Sequence, residues 1–147
     1  MPIKFQKWIT RQDLRNNPDT YYVFGDNVMR IGLGGQAREM RGEPNAIGVV
    51  TKWAPGMEES DFFNDNDHKE FAPFIIADIN AIFELYKTGH TIVFPSDGLG
   101  TGLSMLPTKA PRCYWALYSI VQMLYMYSEG GIIPWQKPTI DPLGNDK

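Results

Sequence analysis

Short β-forming runs alternate with helical stretches along most of this chain, and that alternation restricts the fold more than any other feature. IKFQKWIT (3–10), TYYVFG (20–25), AIGVVTKW (46–53) and HTIVFP (90–95) read as strands, the first as an edge strand and the third as a buried one. Between them, RQDLRNN (11–17) makes a short helix stopped by Pro18, and GQAREMRG (35–42) makes a brief one bounded by Gly42 and Pro44. Asp67 followed by Glu70 has capping-box spacing at a helix start. From there Phe71, Ile75, Ile79, Ile82, Phe83 and Tyr86 fall on one helical stripe, which Gly89 stops. A last helix starts near Lys109, with Pro111 in its first turn. Cys113, Leu117, Ile120, Val121, Leu124 and Tyr127 form its apolar face, and Gly130 and Gly131 end it. Strands separated by helices predict an α/β domain of three layers, α/β/α, around a mixed, mostly parallel sheet.

At 147 residues the chain fits one domain, and its 43% hydrophobic and 13% aromatic content argues against disorder. Two segments depart from the alternation. Residues 54–68 are acidic and turn-rich and read as a surface insertion. Residues 132–147 carry three prolines and read as an extended C-terminal tail over the body. A net charge of −3 disfavours a nucleic-acid polymer as partner but leaves room for a small phosphate ligand held by backbone amides. Cys113 is alone, which excludes an intramolecular disulfide, and PIKFQKW after Met1 lacks the apolar core of a signal peptide. Both features fit a cytoplasmic protein, and no apolar run approaches the length of a membrane span. Tyr114, Tyr118 and Tyr125 fall off the apolar face of the last helix, where they would suit a homodimer.

Two glycine-rich loops follow strands. The first is GDNVMRIGLGGQA (25–37) and the second SDGLGTGL (96–103). In α/β sheets ligands sit beyond the carboxyl ends of strands. Glycine there lets successive N–H groups turn toward one point and lets an anion approach the backbone. Two such loops on neighbouring strands would embrace a diphosphate. Neither loop is a P-loop, since no GKS or GKT occurs. GLGGQA satisfies G-x-G-x-x-A, but it stands away from its strand and has no acid near residue 53 to hold a ribose, which disfavours a dinucleotide dehydrogenase.

IVFPSDGLGTGLSMLP (92–107) resembles the late strand and phosphate loop of macro domains, and GDNVMRIGLGGQARE (25–39) resembles their earlier loop. The resemblance spans most of residues 20–125. It is closest to small macro-like proteins of bacteria and their phages, through the pattern FGDN…GGQA…TK…DGLGTG. It implies a small-molecule partner, ADP-ribose or a related diphosphate nucleotide, and possible hydrolysis of an ADP-ribosyl or ADP-ribose-phosphate bond. The alternative is a protein that only binds or sequesters the nucleotide. It further implies that the second loop (Ser96, Gly98, Leu99, Gly100, Thr101, Gly102, Leu103) cradles the diphosphate, and that the first (Gly25, Gly34, Gly35, Gln36) meets the distal ribose. Where macro domains carry a glycine–aspartate pair that holds adenine, this chain has Lys7 and Trp8. Trp8 is read as core in preference to a base-stacking group.

Among these residues Asn27 is the candidate ribose ligand, because its amide offers a donor and an acceptor to a diol. Asp26 and Asp97 are the candidate carboxylates for orienting a water at the anomeric carbon, where an oxocarbenium-like transition state gains from negative charge. Ser96 and Thr101 offer hydroxyls. Arg30 offers a phosphate partner, although a solvated surface role is the more ordinary reading. His68 and His90 lack partners at metal-ligand spacing, and DFFNDNDH lacks the order of a calcium loop, so no metal or cofactor is expected. Cys113, on the helix stripe, is expected in the core.

Overall fold

The computed structural model describes residues 2–139. Four strands, β1 (Ile3–Gln6), β2 (Thr20–Asn27), β3 (Ala46–Lys52) and β4 (Thr91–Pro95), form one sheet in the order β1-β4-β2-β3. All three pairings are parallel, so the sheet expected to be mixed but mostly parallel is wholly parallel. Every strand is joined to the next by a crossover that carries helix, which is the connection parallel neighbours require.

Alternation along the strands sends side chains to two cores. Val23, Val49, Ile92 and Phe94 pack on one face with Phe71, Ile75, Ile79 and Ile82 of α3 (His68–Lys87) and with Cys113, Leu117, Val121 and Leu124 of α5 (Pro111–Tyr127). On the other face Tyr22, Phe24 and Val93 pack with Leu14 of α1 (Arg11–Asn16) and with Ala37 and Met40 of α2 (Ala37–Met40). The result is the expected three-layer α/β/α arrangement. A one-turn helix, α4 (Leu106–Lys109), precedes α5.

Several local expectations change. β2 runs through Asp26 and Asn27, because both pair with β3 across a bulge, and the loop starts only at residue 28. The expected capping box at residues 67–70 lies one turn earlier. Asp67 accepts from the Asn64 amide at 2.9 Å, Asn64 accepts from Asn66, and Asp67 makes no cap bond to α3. Tyr114 is fully buried, and its hydroxyl donates to the Gln136 carbonyl; Tyr118 and Tyr125 are only half-buried against the same core. Of the three tyrosines read as free for a partner, Tyr114 is therefore unavailable. Tyr127, placed on the apolar stripe, is 64% exposed and leans edge-on against Phe83. Cys113 is buried as expected, and burial pushes its thiol pKa up to about 12.

The acidic segment is anchored rather than peripheral. Glu58 and Glu59 stay exposed and Asp61, Asp65 and Asp67 are half-buried, but Phe62 and Phe63 are buried, Phe63 packing tilted against Trp53 and edge-on against Phe71. The tail beyond residue 131 likewise lies over the body: Ile133 and Trp135 enter the core, and the Trp135 indole donates to the Pro95 carbonyl at 2.8 Å. Residues 140–147 of that tail lie outside the described residues.

Candidate functional site

β2 and β4 are neighbours whose pairing ends at Tyr22 opposite Val93, well before β2 itself ends. After β2 the chain turns to the α1/α2 face, and after β4 it turns to the α3/α5 face. Adjacent strands that lead to opposite faces leave a crevice at their carboxyl ends, and both glycine loops meet there. A Cβ built on Gly25 would lie 3.7 Å from the Gly100 nitrogen, and one on Gly34 would lie 3.0 Å from Leu103 Cδ1. The loops enclose a cleft of ≈ 380 Å³, lined among others by Lys7, Trp8, Gln36, Asp97, Gly98, Gly100, Thr101 and Gly102. Gly25, Gly34, Leu103 and Ser104 form a wall shared with an inner recess of ≈ 80 Å³, which Asp26, Asn27, Arg41 and Lys52 line.

The second loop is shaped by its glycines. Gly98 and Gly100 hold φ of 110° and 77°, which other residues adopt only under strain, and a Cβ on Gly100 would come within 3.0 Å of Leu106. The Gly98 amide returns to the Pro95 carbonyl, the Leu106 amide to the Gly100 carbonyl at 2.7 Å, and the Thr101 hydroxyl to the Asp97 carbonyl at 2.7 Å. Between these ties, the amides of Leu99, Gly100, Thr101, Gly102, Leu103 and Ser104 donate to no group among the described residues. The Leu99 side chain is itself core, anchoring the loop from below. Ser96 is set back behind the cleft wall, with its hydroxyl oxygen buried and unpartnered.

The first loop is held through its carbonyls. Arg41, a residue that no sequence motif marks, donates to the carbonyls of Gly32 at 2.7 Å, Arg30 at 2.9 Å and Ile31 at 3.2 Å. The same guanidinium grips Asp26 at 2.5 and 3.3 Å. With its carbonyls occupied in this way, the loop leaves the amides of Ile31 to Gln36 without partners among the described residues. Asp26 is buried, and it also accepts the Asn27 amide at 2.8 Å, so it braces the loop. Gly48 must be glycine for the same reason, because a Cβ there would collide with the Asp26 carboxylate.

Asn27 is 6% exposed. Its Nδ2 donates to the Ile31 carbonyl at 2.7 Å, while Oδ1, in a side chain that lines the recess, has no partner. The Gln36 carboxamide is engaged at both ends by Ile9, accepting from its amide and donating to its carbonyl, each at 2.8 Å. Only the backbone of Gln36 remains for a ligand. Arg30 pairs with Asp78 at 2.7 Å and so stays with the fold rather than the cleft. Trp8 is not core: it is 50% exposed and lines the cleft. Asp97 is an exposed cleft-lining carboxylate.

Lys52 is the second residue of the recess that stands outside the candidate set. It is buried at the end of β3, its Nζ donating to the Gly56 carbonyl at 2.5 Å and lying 4.4 Å above the Phe62 ring. Burial lowers its pKa, and Asp61 partly opposes that shift. Its sequence signals are a lysine closing a largely apolar strand and the TK of the macro-like pattern.

One protein-family model matches the chain, over residues 4–120. The chain belongs to DUF7831, a family of unknown function. The residues matched to DUF7831 include all four strands, but for Ile3 at the start of β1, and both glycine loops, and stop within α5, short of the tail that carries Trp135. No curated protein and no solved structure matches the chain. No helix among the described residues is long and apolar enough to cross a membrane.

Proposed function

We propose that this chain binds a diphosphate nucleotide of the ADP-ribose class in the cleft between the two glycine loops. The observation that carries this reading is the run of six unpartnered main-chain amides from Leu99 to Ser104, beside a second such run from Ile31 to Gln36. Amides that the fold itself does not use are free to donate to a ligand, and a diphosphate offers several acceptor oxygens without requiring a basic surface. The inner recess suits a sugar: Asn27 presents an unpartnered buried acceptor to a hydroxyl, with the Lys52 ammonium in the same wall. The likeness to macro domains points the same way.

Binding without chemistry is the better-supported form. Asp26 is committed to Arg41 and the Asn27 amide, which leaves it poorly placed to activate a water. Hydrolysis is the second reading, and Asp97 carries it as an exposed carboxylate in the cleft wall. Native mass spectrometry of freshly purified protein, with and without added ADP-ribose, tests the binding. A one-to-one complex is expected, with ADP-ribose recovered intact after denaturation. Product in place of intact ligand favours the hydrolase, and the absence of any complex defeats both.

A further inference from the structure

We propose that Trp8 is the platform for the ligand's nucleobase, and that the site reads the face of that base rather than its edge. The ligand class is then nucleoside diphosphates with little discrimination among bases. This rests on the reading above that the glycine loops hold a diphosphate.

Tryptophan is among the side chains with most to gain from burial, yet Trp8 stands half in solvent on the wall of the cleft that holds Gly98, Gly100 and Gly102. Its backbone is fixed on both sides. The Trp8 carbonyl accepts from Gln6 Nε2 at 3.2 Å, and the next residue, Ile9, is clasped through its N–H and C=O by Gln36. The pinned backbone holds the indole at the cleft wall, so a ring that lies on it immobilises only two side-chain torsions.

The polar side chains around it explain the missing edge readout. Discriminating one base from another needs buried donors and acceptors that the wrong base leaves unpaired. In this cleft the Gln36 carboxamide is taken by Ile9, the Thr101 hydroxyl donates to the Asp97 carbonyl, and the Ser104 hydroxyl is paired with Thr51 at 2.7 Å. What remains is Lys7 and Asp97, both exposed, where water substitutes for a base at little cost. Stacking, by contrast, is available to every base.

Titrating ADP, GDP, CDP and UDP separately into the full chain by calorimetry tests this. All four are expected to bind wild type with Kd values within roughly tenfold of one another. Trp8→Ala should weaken all four, by about 5- to 150-fold if the indole supplies an ordinary stacking contact. Trp8→Phe should stay within a few-fold of wild type, and an unchanged melting temperature shows that each variant is folded. One base bound more than a hundredfold tighter than the rest, or wild-type affinity in Trp8→Ala, overturns the proposal and leaves diphosphate binding standing. Failure of all four while ADP-ribose binds overturns this proposal alone, and failure of ADP-ribose as well overturns the nucleotide reading along with it.

Discussion

Replacing Arg41 with alanine removes the one side chain that ties Asp26 to the whole of the first loop. The Asp26 side chain is only 4% exposed, and Arg41 supplies its 2.5 Å partner, with Arg30 behind at 3.8 Å. Breaking a buried pair by deleting one member costs roughly 3–5 kcal/mol, because the other charge stays buried and uncompensated. The retained Asn27 amide and the more distant Arg30 place the loss toward the lower end, about 3 kcal/mol. For a domain of this size that corresponds to a fall in Tm of roughly 10 °C. Asp26→Asn should cost less, since Arg41 keeps three carbonyl acceptors and some access to water. Combining Asp26→Asn with Arg41→Ala should therefore lose clearly less than the two single losses together, with a coupling of about 1.5 kcal/mol or more. The assay is urea denaturation of the four proteins in a double-mutant cycle, with scanning fluorimetry alongside. An Arg41→Ala protein melting within about 2 °C of wild type, or strictly additive losses, would refute the assignment of this pair as the brace of the loop.

Two further outcomes follow from the packing. Gly100→Ala meets a positive φ and a 3.0 Å approach to Leu106, and it should cost about 2 kcal/mol in stability. Gly102→Ala, with nothing within 4 Å of its Cβ, should stay within about 0.5 kcal/mol, as the same urea titrations would read. The Cys113 thiol is raised from 9.0 to about 12, so the folded state favours its neutral form. Stability should hold below pH 9 and fall as pH rises toward 12, by up to about 1.4 kcal/mol per pH unit. Cys113→Ala should flatten the profile from pH 9 to 12; burial also raises the Tyr114 pKa, but from 10.0, so the thiol acts ahead of it between pH 9 and 10, and an unchanged slope there would exclude the thiol as its source.

The layering was legible because it rests on patterns local in sequence. The α3 stripe at Phe71, Ile75, Ile79 and Ile82, and the β-forming runs between turn residues, reach the structure nearly intact. Sheet direction was legible in the main, since alternating strands and helices predict mostly parallel neighbours, but not for every pair. β1 lies beside β4, some ninety residues away, and nothing in IKFQ says which way its neighbour runs. The two glycine loops could be read as a site because each follows a strand and is stripped of side chains. Arg41 could not: its partners at residues 26 and 30–32 come together only once α2 folds back over β2. Trp8 departs from its expected place in the core for a related reason. An aromatic at a strand end suggests core, and only the bond pair between Gln36 and Ile9 turns the chain so that the indole faces the cleft. Lys52 and the unpartnered Asn27 oxygen belong to the same class, as their meaning depends on what surrounds them in three dimensions.

The most direct test of nucleotide binding by the two loops is an amide-resolved NMR titration of the labelled full chain with ADP-ribose. The largest shifts are expected at the amides of Leu99 to Ser104, with a second set at Ile31 to Gln36 and at the Asn27 side chain. Saturating ADP-ribose that leaves those amides unmoved, or moves only residues elsewhere on the surface, would contradict it.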